Sequence, residues 1–263
     1  MKRLNGKSAV ITGGAGEIGM AAAKQFIAEG AQVLLVDKDE ERLRAGVDEM
    51  NPAAVSYRVA DVTRPDQVEG YVQTAVRRFG GIDIFLNNAG IEGPVNPIPM
   101  YEVADFNKVL AVNVQGVFLG MKYVLPVMME KKAGSIVISS SVAGVIGFPG
   151  MVAYMASKHA IIGIMRVAAI EAGPLGIRVN TINPGPVESR MMDSLENGVD
   201  HLLKAGNPDV EMPSAKEILL MNTPAGRYAT PEDVAAMMLF LGSDESRHCN
   251  GGIYMVDGGF TST

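Results

Sequence analysis

The chain has a single cysteine, Cys249, in 263 residues. One thiol excludes an intramolecular disulfide and supplies no metal cluster. The three histidines, His159, His201 and His248, are scattered and do not make a zinc site. No run of Lys or Arg stands out, and the formal net charge is −6. That balance argues against a nucleic-acid partner. Long hydrophobic runs are missing too: Val234–Leu241, the longest, is too short to span a bilayer. After the basic residues near the N-terminus, Val10-Ile11 runs straight into glycines, so no signal peptide is read. The expectation is a soluble cytoplasmic protein with no metal, membrane or nucleic-acid partner.

Hydrophobic residues make up 48% and charged residues 20%, an ordinary globular balance. Stretches at 8–12, 32–36, 55–60, 83–87, 135–140, 177–182 and 253–256 read as strands. Helical patterns at 18–29, 39–50, 65–79, 103–131, 152–172 and 231–241 lie among them. This alternation, without linker or repeat, predicts one doubly wound α/β domain over 1–263, with a seven-stranded parallel sheet and helices on both faces. The cofactor half covers about 1–150. Residues 190–229 are irregular in pattern and Met-rich, carry Pro208, Pro213 and Pro224, and read as a lid.

Two stretches carry chemistry. The first strand runs into Gly13-Gly14-Ala15-Gly16-Glu17-Ile18-Gly19, a helix follows, and the second strand ends on Asp37. That is the context a dinucleotide-binding G-x-G-x-x-G motif requires, with the acid about 20 residues on. In the second stretch, Tyr154 and Lys158 fall one turn apart on a helix, and Ser141 follows a buried strand. A free phenol titrates near ~10, and a neighbouring ammonium favours phenolate. Taken alone, a Tyr-x-x-x-Lys pair is routine on helices, with a buried Tyr and a surface Lys as its bland reading.

The ordered set Thr12-Gly13…Gly19, Asp61-Val62, Asn87-Asn88-Ala89-Gly90, Asn113, Ser141, Tyr154-x-x-x-Lys158, Pro184-Gly185 and the terminal Val-Asp-Gly-Gly resembles the short-chain dehydrogenase/reductase family. The resemblance spans nearly the whole chain and implies an oxidoreductase interconverting a secondary alcohol and a ketone. It makes Tyr154 the acid/base and Ser141 the partner that positions the substrate oxygen. Lys158 lowers the tyrosine's pKa and grips the ribose, and Asn113 holds a water. Gly13, Gly16, Glu17, Ile18 and Gly19 form the phosphate loop. Asp61 and Val62 resemble the adenine contacts, an ordinary strand-to-helix turn being the other reading of Asp61. Asn88, Ala89 and Gly90 flank the cofactor, and Pro184, Gly185, Val187 and Ser189 lie around the nicotinamide. Glu17 departs from the family's usual glycine, so its carboxylate is expected to point to solvent. Asp37 accepts from ribose hydroxyls and repels a 2′-phosphate, which implies NAD rather than NADP.

The substrate wall is expected from Ile91, Pro94, Val145, Ile146, Phe148, Met151, Met191, Met192 and Met212. Their apolar, flexible side chains suit a hydrophobic or cyclic substrate, and packing of the lid or of a subunit contact is the other use of the methionines. Glu92, Arg190, His201 and Lys204 read as surface charges, with recognition of a polar substrate substituent as their other reading. A 3-oxoacyl thioester reductase and a non-catalytic NAD-binding scaffold stay open, whereas an enoyl reductase would space tyrosine and lysine more widely. The resemblance also implies a homotetramer.

Overall fold

The structure, a computed structural model, describes residues 2–206 and 212–262. Its strands are β1 Ser8–Thr12, β2 Gln32–Asp37, β3 Val55–Val59, β4 Ile84–Asn87, β5 Gly134–Ser139, β6 Ile177–Pro184 and β7 Ile253–Val256. They form one parallel sheet in the order β3-β2-β1-β4-β5-β6-β7. Such strands are covered on both faces, which is why β1 and β4 are buried throughout and read as unbroken apolar runs.

Alternate residues feed two separate cores. Val10, Leu34 and Phe85 pack with helices α3 Pro65–Phe79, α5 Gly116–Lys131 and α6 Val152–Ala172. Ile11, Leu35 and Leu86 pack on the opposite face with α1 Glu17–Ala28, α2 Glu40–Asp48 and α9 Pro231–Gly242. Each fully buried large side chain, Phe26 or Phe85 for example, contributes roughly 1.5–3 kcal/mol. The doubly wound seven-stranded sheet is as the alternation of elements predicts.

Strand order reverses between β1 and β4, and in open α/β sheets the crevice above that point takes ligands. Gly13 follows β1 and Asn88 follows β4, so two of the predicted motifs meet there.

Two expectations need correction. The helix over 103–131 is not uniform: α4 Val103–Leu110 and α5 flank a π-helical turn, Ala111–Gln115. The stretch Val103–Lys131 is long and apolar enough to cross a membrane by length and composition. Its Val117, Val124 and Met128 are buried against the sheet, which accounts for that apolar character. The described residues of 190–229 are largely helical, not irregular. They form α7 Arg190–Gly206 and α8 Ala215–Met221, the latter started by a Ser214–Glu217 capping box. Residues 207–211 of the expected lid, with Pro208, lie outside the described residues.

Candidate active site

The glycine loop is shaped by what it has no room for. Gly13 has φ 65, and a Cβ on it would fall 2.9 Å from Asn88 Nδ2. A Cβ on Gly19 would fall 2.3 Å from the Gly13 carbonyl oxygen, so α1 packs directly on the loop. Gly16 is the N-cap of α1, and no side chain caps that helix. The first-turn amides therefore lack intrahelical acceptors, and the positive end of the helix dipole faces the crevice. The loop fits an anion such as a pyrophosphate. Asp37 is tied to it: its carboxylate accepts from the N–H groups of Ala15 (3.1 Å), Lys38 (2.7 Å) and Asp39 (3.2 Å).

Glu17 does not point freely to solvent. Its carboxylate pairs with the guanidinium of Arg190, the first residue of α7. A second Arg190 nitrogen donates to the Ala15 carbonyl at 3.4 Å. Asn88 serves the scaffold: its amide donates to the Thr12 carbonyl (3.1 Å), and its Oδ1 accepts from the Ser139 hydroxyl (2.8 Å). The Ala89 N–H donates to the Thr12 hydroxyl at 3.2 Å.

Ser141 follows β5, and Tyr154 and Lys158 sit on the first two turns of α6. All three line one cavity of about 640 Å³ with Gly13, Gly16, Glu17, Ile18, Gly19, Asp37, Asn88 and Gly90. Pro184, Gly185, Val187 and Ser189 line it too. Burial pushes the Tyr154 phenol up to about 12; a hydrogen bond from Ser141 opposes this, and the Glu92 charge adds to it. Burial pushes Lys158 down to about 8. The Lys158 ammonium donates to the Ser139 carbonyl at 2.8 Å and lies 5.4 Å from the Tyr154 ring centre. The expected lowering of the tyrosine by the lysine is not seen: burial is the largest cause of the shift, and the one opposing contribution comes from Ser141. A phenol with this value is protonated at neutral pH and can donate a proton to an oxygen in the cavity.

Asn113 is fully buried in the π-turn and does not reach the cavity wall. Its Oδ1 accepts from the Ile91 N–H at 2.8 Å. Its amide donates to the Ile91 carbonyl at 2.8 Å and to the Ser157 hydroxyl at 3.0 Å. These bonds fix the loop after Gly90, where a Cβ would fall 3.5 Å from Lys158 Nζ. Asp61 and Val62 also lie off the wall. The Asp61 carboxylate accepts from the Thr63 N–H and hydroxyl at 2.8 and 2.7 Å, and Val62 packs near Gly116.

Of the expected substrate wall, Phe148, Met151, Met191 and Met192 line the cavity, but Ile91, Pro94, Val145, Ile146 and Met212 do not. Val145 and Met212 are exposed. Glu92 and Arg190, read from sequence as surface charges, line it, whereas His201 and Lys204 do not. Leu195, Val199 and Leu203 were missed; with Met191 they recur at helical spacing, the signal that could have found them. Ser189 starts that helix: its hydroxyl accepts from the Met192 N–H at 3.2 Å. Phe260 was missed as well. Asp257 folds the C-terminal turn by accepting from Gly259 and Thr261, and the turn sets Phe260 5.7 Å from Phe148. No local pattern marks it.

A second cavity of about 600 Å³ lies at the opposite ends of the strands and includes Lys7, Asp83, Arg178 and His248. Asp83 is held there by Ser8 and Lys131, and Arg178 by three carbonyls. None of the motif residues lies in it.

A family model described as Enoyl-(Acyl carrier protein) reductase matches residues 13–261. Levodione reductase of Leifsonia aquatica is 40% identical over 261 residues, covering 98% of this chain and 95% of that protein. The 3-oxoacyl-[acyl-carrier-protein] reductase FabG of Thermotoga maritima is 38% identical over 259 residues, covering 98% of each. Among solved structures, NAD+-bound xylitol dehydrogenase matches with a TM-score of 0.90 at 35% identity, covering 98% of this chain and 100% of that one. With matches of this length laid over the same sheet, the chain belongs to the short-chain dehydrogenase/reductase family of oxidoreductases.

Proposed function

We propose that the chain is an NAD(H)-dependent oxidoreductase interconverting a secondary alcohol and a ketone, with a hydrophobic or cyclic substrate. One observation carries this reading: the buried Tyr154 and Lys158 and the half-buried Ser141 share a single cavity with a glycine loop and a strand-end aspartate. When bound, the nicotinamide dinucleotide supplies hydride transfer. Tyr154 exchanges a proton with the substrate oxygen, and Ser141 hydrogen-bonds the same oxygen and orients it. Lys158 holds the ribose hydroxyls, and Asn113 keeps Ile91 and Ser157 in place and supports a water on the lysine side. Asp61 and Val62 serve the adenine end; Pro184, Gly185, Val187 and Ser189 serve the nicotinamide end. Lid helices α7 and α8 close the substrate wall, whose Phe148, Met151, Met191, Leu195 and Phe260 suit an apolar ligand.

Asp37 favours NAD because its carboxylate accepts from ribose hydroxyls and repels a 2′-phosphate. Comparing kcat/KM for NAD and NADP tests this. A preference for NAD of about tenfold or more, reduced in Asp37→Ala, is expected from the loss of a charge-assisted bond. Equal values in the parent would end the preference.

The exposed apolar side chains Phe118, Val167 and Ile170 on α5 and α6 support a homotetramer, which sedimentation measures. The reading places the enzyme in the cytoplasm without membrane or nucleic-acid partners. A 3-oxoacyl thioester reductase is the second reading, favoured by the FabG relative. The net charge of −6 offers an acidic carrier protein little attraction. The deciding experiment screens NADH formation and consumption against secondary alcohols, sugars, steroids, ketones and acyl thioesters. Turnover of thioesters alone would favour the second reading. NAD binding without any turnover would mark a non-catalytic scaffold.

A further inference from the structure

We infer that Arg190 is a cofactor-phosphate residue for which Glu17 stands in as the anion, and that its exchange from carboxylate to phosphate couples the lid helix to cofactor binding. The inference rests on the dinucleotide reading above. Arg190 opens α7, yet its guanidinium reaches across the cleft to the glycine loop, contacting both the Glu17 carboxylate and the Ala15 carbonyl. Arg190, Glu17 and the loop glycines Gly13, Gly16 and Gly19 line the same cavity.

The pair is poised for exchange. Its side chains are 53% and 34% exposed, and ion pairs in that setting add little stability. A pyrophosphate at the start of α1 brings two negative charges and oxygens spaced for a guanidinium fork. It would also repel Glu17, so the carboxylate both loses its partner and is turned away. Arg190 is followed by Met191, and one turn on by Leu195; both belong to the apolar cluster that holds Tyr154 and Met151. Moving Arg190 onto phosphate therefore sets the part of α7 that walls the substrate.

The test uses calorimetric titration of the full-length protein with NADH, ADP-ribose and adenosine, the last lacking the phosphates. Arg190→Ala should weaken NADH and ADP-ribose about tenfold, the scale of one charge-assisted hydrogen bond, and leave adenosine unchanged. Glu17→Gln should tighten both phosphate ligands about two- to fivefold, because a competing anion is gone. The double variant should bind more weakly than the parent and somewhat more tightly than Arg190→Ala, because the Glu17 charge no longer repels the phosphates. Opposite signs separate this role from a plain clasp, in which both single variants loosen all three ligands alike. That pattern, or an Arg190→Ala variant binding NADH like the parent, would overturn the inference and leave the dinucleotide reading standing. A parent protein binding neither NADH nor ADP-ribose would overturn both. Melting temperatures of the variants serve as the check on folding.

Discussion

The Lys158 ammonium lies 5.4 Å from the centre of the Tyr154 ring, but its hydrogen bond goes to the Ser139 carbonyl at 2.8 Å. Burial governs both groups. It pushes the phenol up to about 12 and the amine down to about 8. The polypeptide therefore holds a protonated phenol beside an amine that titrates close to neutral pH, and both states bear on measurable behaviour.

Lys158 costs stability at neutral pH. Its folded value lies below the ordinary 10.5, so between about 8 and 10.5 the unfolded chain binds more protons and stability rises with pH. Below about 8 the penalty of burying the charge is fully present, on the order of 3 kcal/mol. Lys158→Met should therefore melt a few degrees higher than the parent at pH 7. The gain should shrink towards pH 10, while turnover is lost. Calorimetric melting across that range checks the sign; a variant that gains nothing at pH 7 contradicts it.

Alcohol oxidation needs the phenolate, so its rate should climb through the alkaline range, while ketone reduction should fall. Burial is the largest cause of the raised phenol value, and Glu92 adds to it. Glu92→Gln should move the oxidation profile to lower pH. Initial rates at saturating cofactor, from pH 7 to 10, measure the displacement; a profile unmoved or shifted upward removes Glu92 from the account.

Gly19 and Gly16 should answer substitution differently. A Cβ on Gly19 meets the Gly13 carbonyl at 2.3 Å, within backbone that cannot yield cheaply. Gly19→Ala should cost about 1–3 kcal/mol. Gly16 has φ −83 and meets only the Gly13 carbonyl oxygen, at 3.3 Å. Gly16→Ala should melt within a few degrees of the parent but bind NADH more weakly, since the added methyl lies where the loop approaches phosphate. Denaturant titration and NADH binding separate the two effects.

The central strands were legible because they are short apolar runs bounded by turn residues. Val10-Ile11 and Ile136-Val137-Ile138 are fully buried on both faces. The alternation of elements then left few topologies. Helix α7 was harder to read. Gly198 and polar residues interrupt its apolar stripe, and a Cβ on Gly198 would fall 2.7 Å from Val95, so the glycine serves a close approach. The π-turn at Asn113 arises from contacts with Ile91 and Ser157, a distant pairing that no local pattern encodes. Glu17 looked solvent-facing because its partner, Arg190, lies 173 residues away. Ser141, Tyr154 and Lys158 were found through their spacing, but their electrostatics were not, since burial is a property of the packed chain.

The role of the Tyr154 hydroxyl is tested most directly by turnover and NADH affinity of Tyr154→Phe, which removes one oxygen from a buried ring. We predict unchanged NADH affinity, a melting temperature close to the parent's, and a fall in kcat of about 10²–10⁴-fold. A phenylalanine variant that reduces its ketone at the parental rate would contradict the account.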